Sequence, residues 1–168
     1  MYPDYNMYNQ YNNFQFNNRA FETNRNPEII NLQEAVDLIG KSIGDEKEDE
    51  MFYNEIIKQA PTEKAQNIIA NIRNDERKHN AILRSLYAKF TGQMISESNQ
   101  PEMTKKQERT YIENLEKALF GELEAVIKYR RIMGAMPDND SYTLIMSIMT
   151  DELRHANQYN FLISSLKK

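Results

Sequence analysis

The sequence predicts an all-α fold: a four-helix bundle built from two repeated helical hairpins joined by a long crossover. Three observations carry that expectation. Four stretches place apolar residues at the 3.6-residue spacing of an amphipathic helix. The second pair of stretches repeats the first at a displacement of 76 residues. A polar connection between the pairs, with Gly92, Ser96, Ser98 and Pro101, is far longer than a helical hairpin needs.

Composition narrows the class. A chain of 168 residues is one domain, or one domain and a tail. Five Gly and five Pro argue against a turn-rich all-β domain. A net charge of −4 and a pI near 5.3 argue against a nucleic-acid partner. The chain has no cysteine, which excludes a disulfide framework, a thiol nucleophile and a Cys-ligated iron site within it. No run of eighteen apolar residues predicts a membrane span, and the N-terminus lacks the basic and apolar regions of a Sec signal. The expected address is the cytoplasm.

Residues 1–27 read as a Tyr/Asn-rich N-terminal arm and residues 28–168 as the bundle. Tyr2, Tyr5, Tyr8 and Tyr11 recur every third residue among asparagines, with almost no charge. Such a segment is a mobile tail or an adhesive arm, since Tyr favours interfaces. The first helix is expected from about Ile30 to Ala60, with Leu32, Ala35, Ile39, Ile43, Glu46, Tyr53, Ile57 and Ala60 inward. Pro61 stops it and Thr62 caps the next. The second helix runs to about Phe90, with Ala65, Ile68, Ile69, Ile72, Glu76, His79, Leu83, Leu86 and Phe90 inward. The third spans about Lys105 to Met136 and turns in Leu115, Leu119, Glu122, Ala125, Val126, Tyr129 and Ile132. Pro137 and Asn139 to Ser141 make the last turn. The fourth helix carries Leu144, Ile145, Ile148, Glu152, His155, Tyr159 and Leu162. A Glu stands in the middle of every stripe.

The repeat aligns residues 41–90 on 117–166 without a gap, with 12 identities. Chance gives roughly 3 or 4 at this composition, so the halves are duplicates. Two such hairpins bury their stripes only by packing face to face. The 13 residues from Thr91 to Met103 span roughly 43 Å when extended. That length just returns along a helix of about 28 residues, about 42 Å long.

The aligned positions carry the chemistry. Both histidines have a Glu three residues upstream: Glu76 with His79 and Glu152 with His155. On a helix, i and i+3 share a face. Thirty residues before each pair stands a lone Glu, Glu46 or Glu122. One lone Glu from each of two helices and one Glu-x-x-His from each of the others is the ligand set of dinuclear carboxylate bundles. Four buried carboxylates repel one another and resist desolvation, and two divalent cations neutralise them. Carboxylate with imidazole suits Fe, Mn or Zn better than Mg or Ca. Asp49 lies one turn beyond Glu46 and is either an extra carboxylate for one metal or a residue flanking the stripe. Tyr53 and Tyr129 follow the lone Glu residues by seven, two turns along one face, where a buried hydroxyl finds a carboxylate. Asp75 and Asp151 are candidate acceptors for the N–H of the opposite histidine ring.

These motifs resemble the ferritin-like superfamily, and its rubrerythrin branch most closely. Gly121-Glu122, Ala125, Tyr129 and Asp151-Glu152-Leu153-Arg154-His155 carry the likeness, and Glu46, Tyr53 and Asp75-Glu76-Arg77-Lys78-His79 repeat it. The resemblance implies a ferritin-like bundle whose Glu46, Glu76, His79, Glu122, Glu152 and His155 hold two Fe (or Mn) ions as the catalytic centre. It implies an oxidoreductase that oxidises its metals with hydrogen peroxide or dioxygen, in a homo-oligomer, here expected as a dimer. Two departures stand out. No cysteines means no rubredoxin domain, so an external electron donor is expected. Ala125 occupies the position of the family's additional Glu, and Asp49 is the carboxylate that could replace it. A manganese version would be a catalase. The alternatives are a metal-stabilised structural or assembly protein (spore layer or shell cargo) attached through its arm, and iron storage.

Overall fold

The computed structural model describes residues 29–95 and 109–166. The expected arm and most of the connection lie outside the described residues. Four helices make up the fold: α1 (Leu32–Gln59), α2 (Glu63–Thr91), α3 (Tyr111–Gly134) and α4 (Asn139–Ser165). No strand occurs among the described residues. The four-helix bundle expected from the sequence is the fold observed.

Local chemistry sets the helix ends, and in places moves them from where periodicity put them. α1 begins at Leu32 and not Ile30, because Asn31 caps it in a reciprocal box with Glu34. α3 begins at Tyr111 and not Lys105, because Thr110 and Glu113 form the same box. It ends at Gly134, two residues before Met136. Thr62 caps α2 as expected. Asp138 caps α4, so Asn139 to Ser141 open that helix and are not turn. Gly92 closes α2 at φ 70°, a left-handed conformation that glycine adopts without a Cβ clash.

α1 packs along α2 and α3 along α4, with α1 facing α3 and α2 facing α4 across the bundle. Asn114 at the start of α3 donates to Gln59 at the end of α1, 2.9 Å away. Lys89 at the end of α2 binds the α4 cap Asp138 at 2.9 Å. The end of α2 and the start of α3 therefore lie at opposite ends of the bundle. The connection must cross its length, as the repeat required. It comprises 19 residues, 92 to 110, and not 13, because α3 starts late.

The core has two apolar clusters. One gathers Ile56, Ile69, Ile72, Leu115 and Leu162, and the other Ile39, Leu83, Leu86, Ile132, Ile145 and Ile148. Between them lies a polar layer of Glu46, Glu76, His79, Glu122, Glu152 and His155, all buried. Some residues assigned to the stripes lie off the buried arc. Leu32 and Leu144 are exposed, while Ile57, Ile68, Phe90, Leu119, Ala125 and Val126 are half-buried. Leu32 stands in the first turn of α1, three residues before buried Ala35, and Leu144 is 100° round from buried Ile145. Among the described residues no helix is long and apolar enough to cross a membrane.

Candidate metal centre

Each helix supplies its inward carboxylate at mid-length, so the four meet in one layer. His79 Nδ1 lies 3.0 Å from Glu76 Oε2, 3.2 Å from Glu152 Oε1 and 3.8 Å from Glu46 Oε2. His155 Nδ1 lies 3.3 Å from Glu76 Oε1, 3.6 Å from Glu122 Oε2 and 3.7 Å from Glu152 Oε2. Glu76 and Glu152 each turn one oxygen toward one histidine and the second oxygen toward the other. Two overlapping quartets result: Glu46, Glu76, His79 and Glu152, and Glu76, Glu122, Glu152 and His155. Within each, the four ligand atoms, one per residue, lie within 4.8 Å of one another. Each lone Glu joins the histidine of its own half, and the two Glu-x-x-His carboxylates belong to both groups.

The surroundings orient these donors. His79 Nε2 faces Asp151 Oδ2 at 3.3 Å, and His155 Nε2 faces Asp75 Oδ2 at 3.4 Å. Each histidine is thus braced by the aspartate of the opposite half. Such a bond fixes the tautomer that leaves Nδ1 free to bind a cation. Arg154 ties both aspartates, at 2.8 Å to Asp75 and 2.6 Å to Asp151. With Lys78 at 2.7 Å it holds Asp75 ionised. Burial pushes the Asp75 carboxyl up, but Lys78, Arg154 and His155 outweigh it and bring it to about 2. The tyrosines cross over in the same way. Tyr53 of α1 donates to Glu122 of α3 at 2.7 Å, and Tyr129 of α3 donates to Glu46 of α1. Asp151→Asn is expected to weaken metal affinity ~10- to 100-fold, as loss of such an outer partner does. Isothermal titration with Mn²⁺ would measure it, and unchanged affinity would make the aspartate idle.

The six donors fit a pair of cations. Glu46 Oε2, Glu76 Oε1, Glu152 Oε1 and His155 Nδ1 are buried without a hydrogen-bond partner. An orphaned buried oxygen costs about 1–3 kcal/mol, more when charged, and a metal ion removes that cost. With protons alone, the layer neutralises itself. Burial pulls His155 down, but Glu122, Glu152 and Glu76 push it to about 12, and Glu152, Glu46 and Glu76 raise His79 well above its usual range. Burial lifts Glu46 and Glu122 so that they keep protons. Burial also opposes ionisation of Glu76 and Glu152, yet His155, His79 and hydrogen bonds from the lone Glu residues hold both below the carboxylate range. Two imidazolium ions thus balance two carboxylates, a second neutral state beside the metal-filled one.

A cavity of about 430 Å³ between α1 and α3 leads to this layer. Glu46, Glu76, Glu122 and Glu152 line its depth. Exposed Asp45, Glu48 and Glu124 line its outer part, with Lys128 among them. Glu48 and Glu124 face water at the rim of the way in. Asp49 stands half-buried in the cavity wall and belongs to neither quartet. Burial, with Glu76 and Glu152 nearby, raises its carboxyl to about 7.

Sequence reasoning gave Tyr159 only a place in the core. It is fully buried, its ring lies 5.8 Å from that of Tyr53, and its hydroxyl has no hydrogen-bond partner. The signal was a break in the repeat, since Tyr159 aligns with Leu83. Arg154 was also legible, as a cation beside Asp151 and His155, but its reach to Asp75 was not.

No curated protein and no solved structure matches the chain. The rubrerythrin family model matches residues 37–163. That span takes in α2 and α3 whole, most of α1 and α4, and all six inward donors, and on it the chain belongs to the rubrerythrin family.

Proposed function

We propose that this protein is a dinuclear iron (or manganese) carboxylate oxidoreductase that oxidises its metals with hydrogen peroxide or dioxygen. The observation that carries the reading is the pair of quartets sharing Glu76 and Glu152. Glu46 and His79 would hold one ion, Glu122 and His155 the other, and the two shared carboxylates both. Redox metals so held supply electrons to the oxidant as they pass between +2 and +3.

The protein's own part is binding, access and proton supply. An acidic cavity draws in cations and admits a small uncharged oxidant. Reducing one hydrogen peroxide to two waters takes two electrons and two protons. Asp49, half-buried in the cavity wall with its carboxyl raised chiefly by burial, delivers a proton to the oxidant. Asp49→Asn is expected to slow turnover about 10-fold or more while leaving metal content unchanged, read by stopped-flow with peroxide. Lower metal content in this variant would instead make Asp49 a ligand. Electrons come from an external donor, since the 168 residues contain no cysteine to ligate a second iron centre.

The test is metal content without chelator, followed by anaerobic reduction and addition of peroxide. Two iron ions per chain and a rapid ferric absorption band support the proposal. Two manganese ions with gas evolution move the chemistry to peroxide disproportionation. A folded protein that binds neither metal sinks the reading.

A further inference from the structure

The repeat makes each hairpin a control for the other, and behind the two histidines that symmetry is broken. Asp75 and Asp151 are repeat-related, as are Lys78 and Arg154, and each cation stands three residues after its aspartate on one helix face. Lys78 binds its own aspartate, Asp75, at 2.7 Å. Arg154 binds two. Its Nη2 lies 2.6 Å from Asp151 on α4 and 2.8 Å from Asp75 across on α2. An ammonium is a compact charge on a flexible stem, whereas a guanidinium offers five donors in a planar fork. Arginine in place of the repeat-related lysine lets one side chain tie the two halves together behind the centre.

The two histidine braces are therefore held unequally. The Asp75 side chain is 12% exposed and has two cations on it, Lys78 and Arg154. The Asp151 side chain is 36% exposed, and among the described residues Arg154 is the one cation other than His79 that it meets. Without Arg154, Asp151 is free to turn to water and to leave His79 Nε2, now 3.3 Å away, without its acceptor. Asp75 would stay on Lys78 and keep facing His155 Nε2 at 3.4 Å. An isolated exposed ion pair contributes little, but here two acids, two cations and two imidazole rings form one network in which each bond fixes the next.

We propose that Arg154 is a positioning residue for both ions: through Asp151 and Asp75 it aims Nδ1 of His79 and of His155 into the carboxylate layer, and the His79 side depends on it more. This role rests on the dinuclear centre proposed above, and it holds whichever divalent cation fills that centre.

Zn²⁺ tests this on the full chain without redox turnover, since it takes imidazole and carboxylate ligands and does not change oxidation state. The chain has two histidines, so proton–nitrogen NMR of the zinc-loaded protein should show two ring N–H groups, each protected from exchange with water by its aspartate. Arg154→Met should erase the His79 signal, weaken that of His155 and raise the zinc dissociation constant on the His79 side ~10- to 100-fold. Lys78→Met removes the same charge and should leave both signals in place. Lys78→Arg added to Arg154→Met should restore both, because the repeat lets a guanidinium at position 78 span from Asp75 to Asp151. A protected His79 N–H in Arg154→Met, or an equal loss in Lys78→Met, would overturn the proposal. So would a loss that Lys78→Arg does not restore while the metal-free protein melts lower, which would make Arg154 a strut of the fold. Wild-type protein that takes up no zinc, iron or manganese would overturn the dinuclear centre itself, whereas two ions held as tightly by Arg154→Met as by wild type would overturn the role of Arg154 alone.

Discussion

Glu152→Ala is expected to empty the centre of both ions, whereas Glu122→Ala leaves one. The difference follows from geometry. Glu152 gives Oε1 to the His79 side and Oε2 to the His155 side, while Glu122 approaches only His155. Removing Glu152 takes one donor from each quartet. Affinity for both ions should fall by more than ~100-fold, the upper scale for losing a partner that merely supports a ligand. Glu76→Ala should behave like Glu152→Ala, and Glu46→Ala like Glu122→Ala, because the repeat exchanges them. The metal-free fold also suffers, since one ionised carboxylate then faces two imidazolium ions; breaking such buried balance costs about 3–5 kcal/mol. Metal per chain after dialysis against a weak chelator reads the first effect, and a thermal melt reads the second. Retention of one ion by Glu152→Ala would mean that the carboxylate is not shared.

Much of this was legible because a duplication doubles the information in one sequence. A single Glu-x-x-His is a weak signal, and two at a fixed displacement, each with a lone Glu thirty residues before it, are not. Periodicity then put Glu46, Glu76, Glu122 and Glu152 at mid-helix, and the structure brings them into one buried layer. The cross-braces of Asp75 and Asp151 were expected as a class, because a ring N–H beside a metal needs an acceptor. Helix starts were less legible. Capping boxes at Asn31 and Thr110 override the apolar pattern, and their Glu partners lie inside the helix, where they read as ordinary surface charge. Two things depend on distances between helices and had no sequence signal of their own: the cavity and the reach of Arg154. The charge argument was incomplete for a related reason. Counting four carboxylates demands two divalent cations only if the histidines stay neutral, and their proximity to Glu76 and Glu152 lets them take protons instead.

That alternative leads to the second large effect: metal-free protein should weaken as pH rises above 6.5, while metal-loaded protein should hold level. His79 and His155 have raised affinities for protons in the fold, Glu152 leading the causes for the first and Glu122 for the second once burial is overcome. Their stabilisation is complete below the unfolded value near 6.5 and is lost as pH rises toward about 12 for His155. Glu46 and Glu122, raised chiefly by burial, act in the same direction from near pH 4.3 upward. Glu76 and Glu152 are lowered, so their contribution is present above that range and fails only in acid. Between pH 6.5 and 9 the metal-free protein should therefore weaken steadily, by ~1.4 kcal/mol per pH unit for each strongly raised group at most. With metal, those protons have already left. Binding releases them, so affinity rises with pH by as much as the metal-free fold weakens, and the loaded protein stays level. At a thousand-fold excess over the dissociation constant each site contributes ~4 kcal/mol. That is ~8–16 °C per site for a chain of this size. Thermal melts of chelator-stripped and manganese-loaded protein across pH 6.5 to 9 would measure both slopes. Parallel curves, with the loaded protein falling alongside the stripped one, would mean that the ions bind outside this layer and that its histidines keep their protons.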